Sequence, residues 1–181
     1  TTIDAERLSP QRGDMTMHSA SLDIQRAPYW ELDSELIVNP NGGVSNLRGA
    51  TMRVLAGGNV VQRDGITNIE PKVELGGTMT IEKGTFVSPG GIEVSGNGSL
   101  NLVDGNYLIR SIRVPAASLG NVPFGFAGGH LQVDTFDGNL INKGGILAPG
   151  PGAGTTAIAG DYQQDGGAAL AIDIGGRIGG D

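Results

Sequence analysis

The chain contains no cysteine, so disulfides, thiolate metal ligands and cysteine nucleophiles are excluded from the outset. That absence fits a secreted bacterial protein as readily as any other. No apolar run approaches the 18 or so residues a membrane-spanning helix needs, so no helical span is expected. Aromatic residues make up 4% and charged residues 17%, both low for a globular enzyme. Only 9 prolines are present and glycine does not recur at every third position, which excludes collagen. The formal charge is −7 and the 12 basic residues are scattered, so the basic footprint that phosphate backbones require is missing and nucleic acid is not expected as a partner. What the chain has in excess is glycine: 32 of 181 residues, well over twice the usual share of about 7%. With 38% hydrophobic residues it still has enough apolar material to fold.

Residues 1–33 differ in texture from the rest. They hold one glycine, mixed charges, and few apolar residues before Leu22, Ile24, Tyr29 and Trp30. The expectation is an N-terminal arm or cap over 1–33, with those four residues as its docking contacts, ahead of a second region over 34–181. Trp30, the only tryptophan, reads first as a plug for the end of a core and second as a sugar-stacking ring. Thr1 opens the chain without an initiator methionine or an apolar leader, which reads as a processed or excised piece.

From Ser34 onward, short segments alternate apolar and polar residues. Leu36-Ile37-Val38, Met52-Arg53-Val54, Met79-Thr80-Ile81, Ile92-Glu93-Val94, Leu100-Asn101-Leu102 and Leu131-Gln132-Val133 are examples. Period-two alternation over so few residues marks half-buried strands. No window of a dozen residues has helical periodicity, and the glycine density would cost a helix about 1 kcal/mol per position. Glycine and asparagine pairs such as Gly57-Gly58, Gly76-Gly77, Asn97-Gly98 and Gly128-Gly129 separate the segments, as corners with positive φ would require.

A repeat appears at a shift of about 60 residues: TMTIEKGTFVSPG, residues 78–90, lines up with GNLINKGGILAPG, residues 138–150. In that alignment Ile81 meets Ile141, Lys83 meets Lys143 and Gly84 meets Gly144. Strands recur roughly every 20 residues, so the shift amounts to about three turns of one coil. A single unit offers about four inward side chains, worth roughly 1.5–3 kcal/mol each when buried. Ordering its backbone costs about 1–2 kcal/mol per residue, so one unit alone cannot fold and stacking is obligatory. The expected architecture is all-β: a parallel β-helix, or β-solenoid, of about seven coils, roughly 35 Å long at ~4.8 Å per coil. An antiparallel sandwich is the rival.

Residues 138–174 carry a more particular pattern: Gly145, Leu147, Pro149, Gly150, Gly154, Ile158, Gly160, Asp161, Tyr162, Gln164, Leu170, Ile172 and Ile174. This resembles the passenger-associated repeats of autotransporter-like and other secreted bacterial surface proteins, with a fainter copy over 78–102. The resemblance implies a right-handed parallel β-helix, exported and used at the cell surface or outside the cell.

Candidate chemistry is thin. The stretch GPGAGTT, residues 150–156, superficially looks like a phosphate loop but lacks the lysine, and reads as an arc between coils. His18 and His130 are far apart, and no G-x-S-x-G elbow supports a triad around His130. Glu82, Glu93, Asp104, Arg110 and Arg113 are the set that a polysaccharide-cleaving β-helix would use, but their spacing places neighbours on different faces. The calcium-binding G-G-x-G-x-D pattern is absent, Gly179-Gly180-Asp181 being only a fragment of it. Asn97-Gly98-Ser99 fits a glycosylation acceptor and reads first as a tight turn. The expectation is therefore a non-enzymatic extracellular structural or adhesive solenoid with no catalytic residues, cofactor or metal. Its expected partner is itself, through open coil ends and the N-terminal arm, with surface glycans as a further candidate. A polysaccharide-binding or polysaccharide-degrading β-helix and a phage fibre segment are the alternatives.

Overall fold

The computed structural model describes residues 2–4, 13–39, 41–116, 122–149 and 154–172. Residues 150–153 of the glycine loop, Ile174 and the Gly179-Gly180-Asp181 fragment lie outside the described residues.

Among the described residues there are strands and turns and no helix. The strands form a 12-stranded and an eight-stranded sheet, and every strand pair in both is parallel. The hairpin-linked sandwich is thereby ruled out, and the chain is a β-solenoid of about seven turns. Each coil has three faces. Face 1 holds Ile66–Ile69, Thr85–Ser88 and Ile146–Ala148; face 2 holds Val73–Leu75, Ile92–Val94 and Ala157–Ala159. The longer strands Ser21–Leu32, Val44–Val54, Asn106–Arg113 and His130–Asp137 run across both. Face 3 is the eight-stranded sheet, from Met15–Met17 through Glu35–Val38, Asn59–Gln62, Thr78–Ile81, Ser99–Leu102, Phe124–Phe126 and Leu140–Asn142 to Tyr162–Gln164. Seven steps at ~4.8 Å separate its outer strands, a stack roughly 34 Å tall.

Alternation decides which side chains enter the core. On face 2, Trp30, Met52, Val73, Ile92, Ile112 and Phe136 stack one above another, all buried. On face 3 the column is Leu36, Val60, Met79, Leu100 and Phe124. The few aromatic rings concentrate in the later coils, where Phe124 meets Phe136 edge-on at 4.9 Å between centroids.

Residues 13–33 of the expected arm are built into the stack. Ser21–Leu32 is a 12-residue strand registered against Val44–Val54, and Met15–Met17 pairs with Glu35–Val38. The expected boundary after Asp33 therefore falls inside the solenoid. Ser19 and Arg26 take up positive φ in the corners of this glycine-poor stretch, a conformation that glycine supplies in later coils.

The corner between faces 3 and 1 shows why glycine is needed elsewhere. A Cβ on Gly65, Gly84, Gly105 or Gly129 would stand 2.3–2.4 Å from the carbonyl oxygen of the glycine one coil below. All four have positive φ, so a side chain there is opposed by both backbone conformation and crowding. Buried amides close the same corner where coils are irregular. Asn39 Nδ2 donates to the Ile66 carbonyl at 2.8 Å, and Gln62 Nε2 donates to the Lys83 carbonyl at 3.0 Å, each reaching up one coil.

The repeat also holds, with a slip. Face 3 passes from Thr78–Ile81 to Leu140–Asn142 in three steps, as the 60-residue shift implied. The column above Ile81, however, runs through Leu102 and Phe126 to Asn142, while Ile141 points outward and is 40% exposed.

Candidate functional site

Face 2 carries its charges in one outward column. Glu31, Arg53, Glu74, Glu93, Arg113 and Asp137 occupy successive coils at one register position. Arg53 bridges down to Glu31 at 3.5 Å and donates from Nε to Glu74 at 2.7 Å. Lys72, from the neighbouring column, reaches Glu74 at 3.7 Å and hydrogen-bonds Glu93. Arg113 stands 3.9 Å from Glu93 and 2.8 Å from Asp137. The result is an unbroken ladder of ion pairs across six coils.

These side chains are partly solvated, so each pair adds little to stability. The shifts are nonetheless clear in direction. The hydrogen bond from Lys72 holds the Glu93 carboxyl below its ordinary value, and the same bond raises the Lys72 ammonium. The hydrogen bond to Glu74 raises Arg53. The Arg53 guanidinium also lies 3.1 Å from the centroid of the Tyr29 ring, a cation–π contact.

The residues singled out in the sequence fall in several places. Leu22, Ile24 and Trp30 point inward and are 8%, 3% and 5% exposed, packed into the core of their own solenoid. Tyr29 alone of the four faces outward, under Arg53. Glu93 and Arg113 belong to the ladder, whereas Glu82 and Asp104 follow face-3 strands and Arg110 lies at the corner between faces 1 and 2. The five do not converge. His18 lies in the turn after Met15–Met17, and His130 opens the strand His130–Asp137, registered between Asn106 and Ile146 on face 1. The tight turn falls one residue earlier than Asn97-Gly98: Gly96 and Asn97 are its central residues, closed by the Gly98 N–H donating to the Ser95 carbonyl at 2.9 Å. Among the described residues, no group of three or more acidic or histidine side chains is placed to hold a metal ion.

Two features escaped sequence reasoning. One is the ion ladder itself. The other is the last described coil, where Leu147, Ile158, Tyr162, Leu170 and Ile172 line an apolar depression. Leu170 is 43% exposed and Ile172 64%, although Leu170 stacks directly on the buried Leu147. Their alternation was readable; that no described coil covers them was not.

Compared with known proteins, the chain matches no protein-family model, no curated protein and no solved structure. The likeness to passenger-associated repeats therefore has no family match behind it, and the solenoid fold is what stands.

Proposed function

We propose that this chain is a non-enzymatic, extracellular structural or adhesive solenoid of the kind its repeat pattern resembles, and that it acts by joining end to end. The observation that carries the reading is the last described coil. Among the described residues its strands Tyr162–Gln164 and Ala169–Leu170 each pair on one side only, and beside them lie the exposed Leu170 and Ile172. An unpaired strand edge next to apolar surface is a template for further parallel strands. A contact of that kind does not close on itself, so repeated use yields a filament. Face 2 supports the structural role, because its charges bind one another instead of standing free for chemistry.

Analytical ultracentrifugation with electron microscopy tests this directly. The expected result is concentration-dependent rods lengthening in steps of roughly 35 Å, lost in the Leu170→Glu/Ile172→Glu double variant. Both residues are exposed, so the double variant should keep its fold. A wild-type chain that stays monomeric, or forms closed trimers as a phage fibre would, overturns the proposal.

A further inference from the structure

At the border of faces 1 and 2, one depression is lined by polar side chains that the fold does not use. Arg110 and Asp134 stand at one level of adjacent coils, between the registered pairs Ile109–Val133 and Ser111–Thr135. At the corresponding corner of earlier coils Arg48 and Glu70 form a 2.8 Å ion pair. Arg110 and Asp134 form none, and the hydroxyls of Ser111 and Thr135 make no hydrogen bond within the described residues. Gly90 and Gly91 lack side chains, which opens the floor. The depression of about 460 Å³ around Arg110 and Asp134 thereby adjoins one of about 200 Å³ beside the ladder, between Glu93 and Arg113. Neither glycine can accept a Cβ, since it would stand 2.2–2.3 Å from Pro71 or Ser111. The notch is therefore a fixed consequence of close coil packing.

We infer that this notch is a binding site for a neutral saccharide. Lys72, Arg110 and Arg113 face Glu93, Asp134 and Asp137, so the lining carries no net formal charge and favours neither an anion nor a cation. It does offer dense donors and acceptors. A guanidinium donating and a carboxylate accepting at one level suit the adjacent hydroxyls of a sugar ring, which both donate and accept. The two hydroxyls of the floor add a second set. A peptide added as a further strand fits less well: the backbone of face 2 is already paired from coil to coil, so it offers no free strand edge. No aromatic ring lines the notch, which places affinity in the weak, millimolar range. The site is independent of end-to-end joining and should persist in the Leu170→Glu/Ile172→Glu variant.

Titration of the isotopically labelled chain by NMR tests the assignment. The probes are methyl glucoside, methyl galactoside, methyl mannoside and their linear tetrasaccharides, set against galacturonate, glucosamine, inorganic phosphate and a glycine-alanine tetrapeptide. At least one neutral saccharide is expected to shift the amides of Arg110, Ser111, Asp134 and Thr135 saturably. Arg110→Gln and Asp134→Asn should each weaken it roughly tenfold, while Glu31→Gln, at the far end of the ladder, leaves it unchanged. Both Arg110 and Asp134 are exposed, and an unchanged circular dichroism spectrum verifies that the variants fold. Absence of saturable shifts with every neutral saccharide, tighter binding of a charged probe or the peptide, or wild-type affinity in Asp134→Asn would each overturn the assignment.

Discussion

Asn142 and Gly145 clasp each other across a corner of the seventh coil. The Asn142 Nδ2 donates to the Gly145 carbonyl at 3.0 Å, and the Gly145 N–H donates to Asn142 Oδ1 at 2.9 Å. The same amide nitrogen reaches the Ala169 carbonyl one coil up, at 3.3 Å. Asn142 is fully buried, so neither water nor a neighbour can replace these bonds. Asn142→Leu, close in size, should destabilise the chain by about 2–3 kcal/mol because it strands the Gly145 N–H and carbonyl and removes the bond to the Ala169 carbonyl. Urea denaturation followed by circular dichroism reads the loss.

Tyr107 makes the opposite case. Its ring is completely buried, its hydroxyl has no hydrogen-bond partner among the described residues, and burial pushes its ionisation well above the ordinary phenol value. Tyr107→Phe removes a stranded polar atom and keeps the edge-on contact with Phe126, at 6.4 Å between centroids. A neutral effect or a gain of up to about 1 kcal/mol is expected. A clear loss in thermal melting would mean that the hydroxyl has a partner after all.

The ladder predicts a pH dependence whose sign is fixed. Glu93 is held below its ordinary 4.5, so its contribution is complete above that value and fades as the pH falls through the lower folded value. Lys72 is raised above 10.5, so its contribution is complete below that value and disappears only in stronger alkali. Lys72→Met should therefore remove at most about 1 kcal/mol near neutrality and flatten the acid limb of the stability curve. Denaturation midpoints of wild type and variant, measured from neutral pH down into acid, should converge as Glu93 protonates.

Much of the architecture could be read from residue order alone. Alternation such as Met79-Thr80-Ile81 names both the strand and the side chain that enters the core, because a strand has only two faces. What could not be read depended on register between coils. Lys72 and Glu93, or Arg53 and Glu74, are ladder partners only because the coil returns at that point, and the return is not constant. It takes 16 residues from His130 to Ile146 and 25 from Ser21 to Asn46. The same irregularity explains the one-residue slip that put Ile141 where Asn142 belongs. The opening coils carry a weaker compositional signal for a local reason: Arg26 and Asn39 take up in those corners the positive φ that glycine supplies later. The notch was half visible, since Arg110 was singled out, but its neighbour Asp134 emerges only when the coils are stacked.

The column of close-approaching glycines has a bearing on how such a chain can change. Backbone amides set the level-to-level distance, and surplus residues in a long return bulge sideways without lifting the next level. The molecule thus behaves as a ruler whose graduations stay even whatever each loop weighs. Insertions that decorate the flanks leave every higher mark where it was, whereas one methyl group added at Gly84 would pry two graduations apart.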